Sequence, residues 1–260
     1  MTPVSEEVLL ELVQLVRQSS KYAAIDETLV TSIGRLELGK RNSLKEAVKS
    51  TRNKLHQIGS AYQEKPIPYS SWENQLYSLP REMDSPQVQE FLIENMRQHA
   101  STAERLSIHE DFFKTTLAAI APVTSILDLA CGLNPLNLPW IPTADQFTYE
   151  ACDIYSDMTG YLNAFFSHFD IDGHANLCDL TSTVPQTRSH VAFLLKTIPC
   201  LEQIDKAAGK RLLEGLNAEN ILVSFPAHSL GGRSKGMVQN YQAHFNDLID
   251  GNNWQVTRFE

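Results

Sequence analysis

Glycine is scarce where a nucleotide-binding fold would need it. The 260-residue chain holds 12 glycines, and the turn after its first buried apolar run, Asp128-Leu129-Ala130-Cys131-Gly132-Leu133-Asn134-Pro135, contains one. A dinucleotide site needs three in such a turn so that the backbone can approach a pyrophosphate. The phosphate loop of nucleotide hydrolases, GxxxxGK[ST], is absent too. The four cysteines, Cys131, Cys152, Cys178 and Cys200, form no CxxC pair. Neither a zinc site nor a disulfide framework is expected, and no metal. The start, Met1-Thr2-Pro3-Val4-Ser5-Glu6-Glu7, is acidic where a secretion signal would be basic. The most apolar window, Thr115 to Leu133, is broken by Pro122 and Asp128, so no membrane span is expected. These absences describe a cytoplasmic protein, and a monomer is the expected state.

What is present suits a large globular domain, or a core domain with an added module. Net charge is −9, which taken alone argues against nucleic acid. The charge is unevenly spread, however. Lys40, Arg41, Lys45, Lys49, Arg52 and Lys54 face a single acid, Glu46, within one short segment. A basic patch on an acidic body is a binding face rather than a bulk property.

The first hundred residues read as helical. Val4, Val8, Leu9, Leu12, Val13 and Val16 recur at helical spacing. A second helix is expected from Asp26, its N-cap, to about Leu38. A third starts at the capping box Ser43-Leu44-Lys45-Glu46. On it Lys45, Lys49, Arg52 and His56 form a stripe beside the apolar face. That stripe is either an ordinary solvated surface or a phosphate-contacting one, and His56 fits a packing or capping role equally. Residues 62 to 90 carry Pro66, Pro68, Pro80 and Pro86 with aromatics between them, which implies short helical pieces whose aromatics pack. A helix through Val88, Phe91, Leu92 and Met96 follows. Ser101 to Glu104 has the spacing of a second capping box. Arg105 would then stand in a first helical turn, where a cation is disfavoured. It is either a surface residue or a bidentate holder of a carboxylate.

From residue 125 the pattern alternates strands and helices. Strands are expected at Ser125–Ala130, Phe147–Asp153, Ala175–Cys178, Val191–Leu195 and Asn220–Phe225. Helices are expected through Leu162, Phe165 and Phe166 and from Glu202 to Leu216. The fold class is α/β, a doubly wound, Rossmann-like sheet with an N-terminal all-α module. Its bounds are 1–100 for the module and 101–260 for the sheet domain. Trp254 to Phe259 reads as a sixth strand, with the antiparallel partner that closes such sheets missing after it.

A cofactor with an adenosine end and no phosphate suits the single-glycine turn: S-adenosylmethionine, leaving as S-adenosylhomocysteine. Asp153 closes strand two where an acid can hold both ribose hydroxyls, and Asp179 follows strand three, placed to accept from the adenine amino group. Each of Asp128, Asp153 and Asp179 could instead be a turn or cap residue. The chemistry implied is methyl transfer, in which the protein supplies alignment and desolvation. After strand four the chain reads Lys196-Thr197-Ile198-Pro199-Cys200, without the polar-Pro-Pro-aromatic turn of enzymes that methylate exocyclic amines. Cys200 is either a core residue or a nucleophile. A ring nitrogen such as guanine N7 has a free lone pair and needs no general base.

Several stretches resemble one family. They are Lys54-Leu55-His56-Gln57-Ile58-Gly59-Ser60-Ala61-Tyr62, His99 to Arg105, Asp128 to Pro135, Phe193-Leu194-Leu195-Lys196 and Val223-Ser224-Phe225-Pro226. The longest is Ser229-Leu230-Gly231-Gly232-Arg233-Ser234-Lys235-Gly236-Met237, continuing to Asn240-Tyr241. In this order they resemble the 16S rRNA guanine-N7 methyltransferases of aminoglycoside resistance. The resemblance implies a cofactor site with Arg105 on the methionine carboxylate, Gly132 beneath the cofactor, Asp153 on ribose and Asp179 near adenine. Asp128, Ala130, Asn134, Ile154, Leu180 and Lys196 complete that set. It implies a helical module that docks on the assembled 30S subunit, so that Lys40, Arg41, Lys45, Lys49, Arg52, Lys54 and His56 contact 16S rRNA. Lys196, as a positioning residue, and the loop with Arg233 and Lys235 would approach the target nucleotide. The family carries an aliphatic residue where Cys200 stands, which weakens the nucleophile reading.

Overall fold

The computed structural model describes residues 4–60, 66–226 and 237–259. Its N-terminal part is helical: α1 (Glu6–Arg17), α2 (Ser20–Ala23), α3 (Glu27–Leu38) and α4 (Leu44–Leu55), the last running into a π turn, His56–Ser60. Asp26 accepts from the Thr28 backbone N–H at 3.0 Å and Ser43 from that of Glu46 at 3.3 Å. Both expected caps therefore form. Leu9, Leu12, Val16, Val30, Ile33, Ala47 and Leu55 close the space between α1, α3 and α4.

Two proline-bounded pieces follow, α5 (Tyr69–Leu76) and α6 (Pro86–Met96), with Ser85 capping the second. Tyr69 and Trp72 pack edge-on at 5.6 Å and both meet Tyr161, so these aromatics are packing residues. Next come α7 (Ala100–Ala103) and α8 (His109–Thr116). The expected second capping box does not form. His99 is the N-cap of α7, Ser101 lies within it and Glu104 is at its C-terminal end. The helix is one turn long, and the Glu104 carboxylate is drawn away to an ion pair with Lys196.

The sheet comprises β1 (Val123–Leu129), β2 (Thr143–Asp153), β3 (Gly173–Leu177), β4 (Ser189–Leu195) and β5 (Ala218–Ser224). All pairings are parallel, in the order β3-β2-β1-β4-β5. A 3-10 segment, Asn134–Trp140, joins β1 to β2 and α9 (Ser156–His168) joins β2 to β3; α10 (Thr197–Leu201) and α11 (Ala208–Gly215) lead to β5, and α12 (Met237–Ile249) follows. Successive residues serve opposite faces. Ile126, Val191, Phe193 and Leu195 join the cluster shared with the N-terminal helices. Leu127, Leu129, Ala192 and Leu194 join a second one under α10, α11 and α12. A parallel sheet covered on both sides needs such continuous apolar runs.

Two expectations fail here. The helix expected from Glu202 to Leu216 is shorter, because Asp205 turns the chain by accepting from the Ala207 N–H at 3.0 Å. Residues 254–259 form no strand among the described residues. The chain leaves α12 and stays on its side, Arg258 donating to Asn246 at 2.7 Å. That path leaves the β5 edge unreached, and an extended segment without a ladder partner gains no sheet hydrogen bonds.

Candidate active site

The strand order reverses between β1 and β4, and a ligand crevice forms at such a switch point beyond the carboxyl ends of the strands. Asp128 and Phe193 stand opposite one another there. The chain turns sharply after both strands: Ala130 has φ 52, Gly132 φ 53 and Lys196 φ 64. A cleft, open to solvent at its mouth, lies over these turns.

Ala130, Asp153, Ile154, Asp179, Leu180 and Lys196, six of the expected cofactor residues, line that cleft. Asp153 is central. One carboxylate oxygen accepts from the Gly132 N–H at 2.9 Å and the other from its neighbour Ile154 at 2.7 Å. Burial raises its pKa to about 6 against those backbone donors. The Tyr155 N–H bonds the same carboxylate, and its roughly four acceptor sites leave room for a further donor. Asp179 accepts from the Thr181 N–H and hydroxyl and from the Ser182 hydroxyl, so it organises its own turn as well as facing the cleft.

Arg105, Asp128, Gly132 and Asn134 lie behind the cleft wall rather than on it. His99 and Ser101 form the wall at that point, and Arg105 donates to Ser101 at 3.4 Å. Arg105 follows the end of α7 instead of opening a helix, so the dipole argument for it does not hold. Its burial has another basis: Arg105 donates to Asn134 at 3.0 Å, Asn134 donates to Asp128 at 2.9 Å and Tyr149 donates to Asp128 at 2.7 Å. Burial raises the Asp128 pKa to about 7, and lowers that of Arg105 to about 10. Among the described residues Arg105 has no carboxylate in direct ion-pair contact, and its buried Nε has no hydrogen-bond partner. A buried guanidinium so placed fits a carboxylate ligand.

Sequence reasoning gave no role to several groups here. The His99 ring lies over Gly132, where an added Cβ would sit 2.6 Å from it. Desolvation, then Arg105 and Lys196, hold the His99 pKa down at about 4. Leu29, Ile58 and Gly59 bring the N-terminal helices to the cleft. An added Cβ on Gly59 would meet Tyr155 at 2.8 Å and Ile154 at 2.9 Å. That glycine was the available signal, since only a missing side chain allows so close an approach. Backbone bonds from Asp26 to Ile154 and from Ser156 to Ala24, each 2.8 Å, tie the same junction.

The basic residues separate into two groups. Lys40, Lys45 and Lys49 are exposed. Arg41 is also exposed but pairs with Glu37 and Ser50. Arg52 donates to the Leu15 carbonyl at the end of α1, and Lys54 to the Gln203 carbonyl at 3.2 Å. His56 is the C-cap of α4, its ring 3.1 Å from Lys21 Nζ. Arg233 and Lys235 lie outside the described residues. Among the described residues no cluster of His, Cys, Asp or Glu could hold a metal ion, and no helix is long and apolar enough to cross a membrane.

A parallel sheet with an acid closing its second strand over a one-glycine turn defines a class, the Rossmann-like S-adenosylmethionine-dependent methyltransferases. The chain matches the ribosomal RNA methyltransferase (FmrO) family over residues 18–260. It is 32% identical over 261 residues to the 16S rRNA (guanine(1405)-N(7))-methyltransferase of Micromonospora echinospora, covering 100% of this chain and 95% of that protein. To the protein so named from Serratia marcescens it is 34% identical over 227 residues, 87% of this chain and 84% of that one. Among solved structures, the 16S rRNA methyltransferase RmtF in complex with S-adenosyl-L-homocysteine superposes with a TM-score of 0.84 at 26% identity, covering 99% of this chain and 95% of that one. The 16S rRNA methylase RmtB gives 0.78, also at 26% identity, over 96% and 93% of the two chains. The protein belongs to the FmrO family of ribosomal RNA methyltransferases.

Proposed function

We propose that this enzyme methylates N7 of guanine 1405 of 16S rRNA, the position named for its relatives, within the assembled 30S subunit in the cytoplasm, and so confers aminoglycoside resistance. The observation that carries the reading is the cleft at the β1–β4 switch point, set in a chain that matches the family from residue 18 to 260. S-adenosylmethionine supplies an activated methyl group there. Asp153 would accept from the ribose hydroxyls, and Asp179 and Leu180 would border the adenine. Ala130 and Gly132 would lie beneath the cofactor, and Arg105, held by Asn134 and Asp128, would receive its carboxylate in place of its present Ser101 contact. The protein's remaining work is alignment and exclusion of water, because guanine N7 needs no base to expose its lone pair.

Residues 1–100 serve as the docking module and 101–260 as the methyltransferase domain. One buried cluster, from Leu9 to Leu195, runs through both, which supports a module fixed to the domain. Lys40, Lys45 and Lys49 supply the phosphate contacts on its outer face, with Arg233 and Lys235 nearer the target and the enzyme acting as a monomer. The purified enzyme transfers label from S-adenosylmethionine to intact 30S subunits and not to free nucleosides. Primer extension after strand scission at the modified base maps the site to guanine 1405. Absence of label in 30S overturns the reading.

A further inference from the structure

Lys196, between β4 and α10, has a left-handed conformation that non-glycine residues adopt only when the surroundings impose it. Its N–H donates to the Ser224 carbonyl at 3.0 Å, and the next residue, Thr197, donates its hydroxyl to the Leu129 carbonyl at 2.9 Å. The backbone is thus pinned between β1 and β5, and the side chain starts at a fixed point on the cleft. Four methylenes would still leave the ammonium free to turn. Its ion-pair partner is Glu104, which reaches in from the rim. The two ends differ in exposure: 8% of the lysine side chain is accessible and 47% of the glutamate's.

We propose that Glu104 is a positioning residue of this site: its carboxylate fixes the direction of the Lys196 ammonium at the cleft for the incoming nucleotide. The inference rests on the reading of Lys196 as nucleotide-facing, and assigns a role to a residue that capping spacing alone accounted for in the sequence. The groups around the ammonium act on its charge in opposite directions. Burial disfavours the charged amine, Arg105 adds a like charge behind it, and the His99 ring beside it is neutral at pH 7. Glu104 opposes these effects, with a smaller contribution from Cys200. Without it the lysine loses both its orientation and its charge at a lower pH.

The test uses the full chain with ε-13C-labelled lysines, the Lys196 signal being assigned by its loss in K196R. In E104Q the Lys196 signal is expected to titrate at least about one pH unit lower than in wild type, the size of effect one nearby opposite charge produces. The alkaline limb of the 30S methylation profile moves down with it. On that limb, above the wild-type midpoint, the rate falls about tenfold per pH unit of the shift, and KM for 30S rises. E104D restores part of the loss. In the K196M background, E104Q adds no further loss. An unchanged Lys196 titration in E104Q overturns the inference, as does an equal loss from E104Q with and without Lys196. Wild-type protein inactive on 30S overturns the function instead, and the titration still decides whether Glu104 holds the lysine.

Discussion

Asp153, the last residue of β2, accepts a hydrogen bond from the backbone N–H of Gly132 at 2.9 Å. The end of one strand thereby shapes the turn that follows its neighbour. The carboxylate that would hold the ribose also sets the floor of the cleft.

Asp153→Ala should therefore remove both functions. S-adenosylhomocysteine affinity, read by calorimetry, falls at least about tenfold, as expected when a buried donor loses its acceptor. In wild type the affinity also falls as pH drops through about 6, because protonation at the raised pKa removes acceptor capacity. Constant affinity from pH 8 to 5 would count against Asp153 as a ribose acceptor.

Gly132→Ala places a methyl group in the His99 ring at a backbone angle of φ 53. A loss of about 1–3 kcal/mol in unfolding free energy is expected from that strain, together with weaker S-adenosylhomocysteine binding. Thermal melts with and without ligand separate the two effects.

Asp128 gives a pH dependence of stability. Its folded pKa of about 7 lies above the ordinary value of 3.8, so the folded state binds the proton more tightly. Its contribution is complete below about pH 4 and is lost as pH rises to 7. Asp128→Asn should flatten that part of the stability curve, measured by denaturant unfolding from pH 5 to 8. An identical slope in the two proteins would contradict the assignment.

The basic residues should divide as their partners do. Replacing Lys40, Lys45 and Lys49 together with Glu is expected to abolish 30S methylation and leave S-adenosylhomocysteine binding and Tm unchanged. Arg52→Ala instead lowers stability by about 1–2 kcal/mol, since it removes a donor from a carbonyl ending α1. Unfolding curves for the two variants decide.

Cys200 lies on the cleft with its thiol directed to the Lys196 carbonyl. Transfer to a ring nitrogen uses no thiolate, so Cys200→Ala should keep 30S methylation within a few-fold of wild type. Inactivity with normal folding would revive the nucleophile reading.

Local rules sufficed for much of this. The N-caps at Asp26 and Ser43, the apolar strand runs and the acids at strand ends act over a few residues, and such signals survive in a single sequence. They failed where a distant group competed. Glu104 left its expected cap for Lys196, Asp205 ended a helix early, and residues 254–259 found no neighbouring strand.

The sequence by itself determined the class of sheet, the acid at the end of β2 and the basic character of α4. Each depends on residue type and spacing along one element. The tertiary structure alone decided that His99 and Ser101 stand between Arg105 and the cleft, that Leu29, Ile58 and Gly59 complete its wall, and which of the described basic residues bond within the fold. These outcomes depend on which side chains meet across the fold, and hydrogen bonds and burial between distant segments leave no periodic trace in the chain.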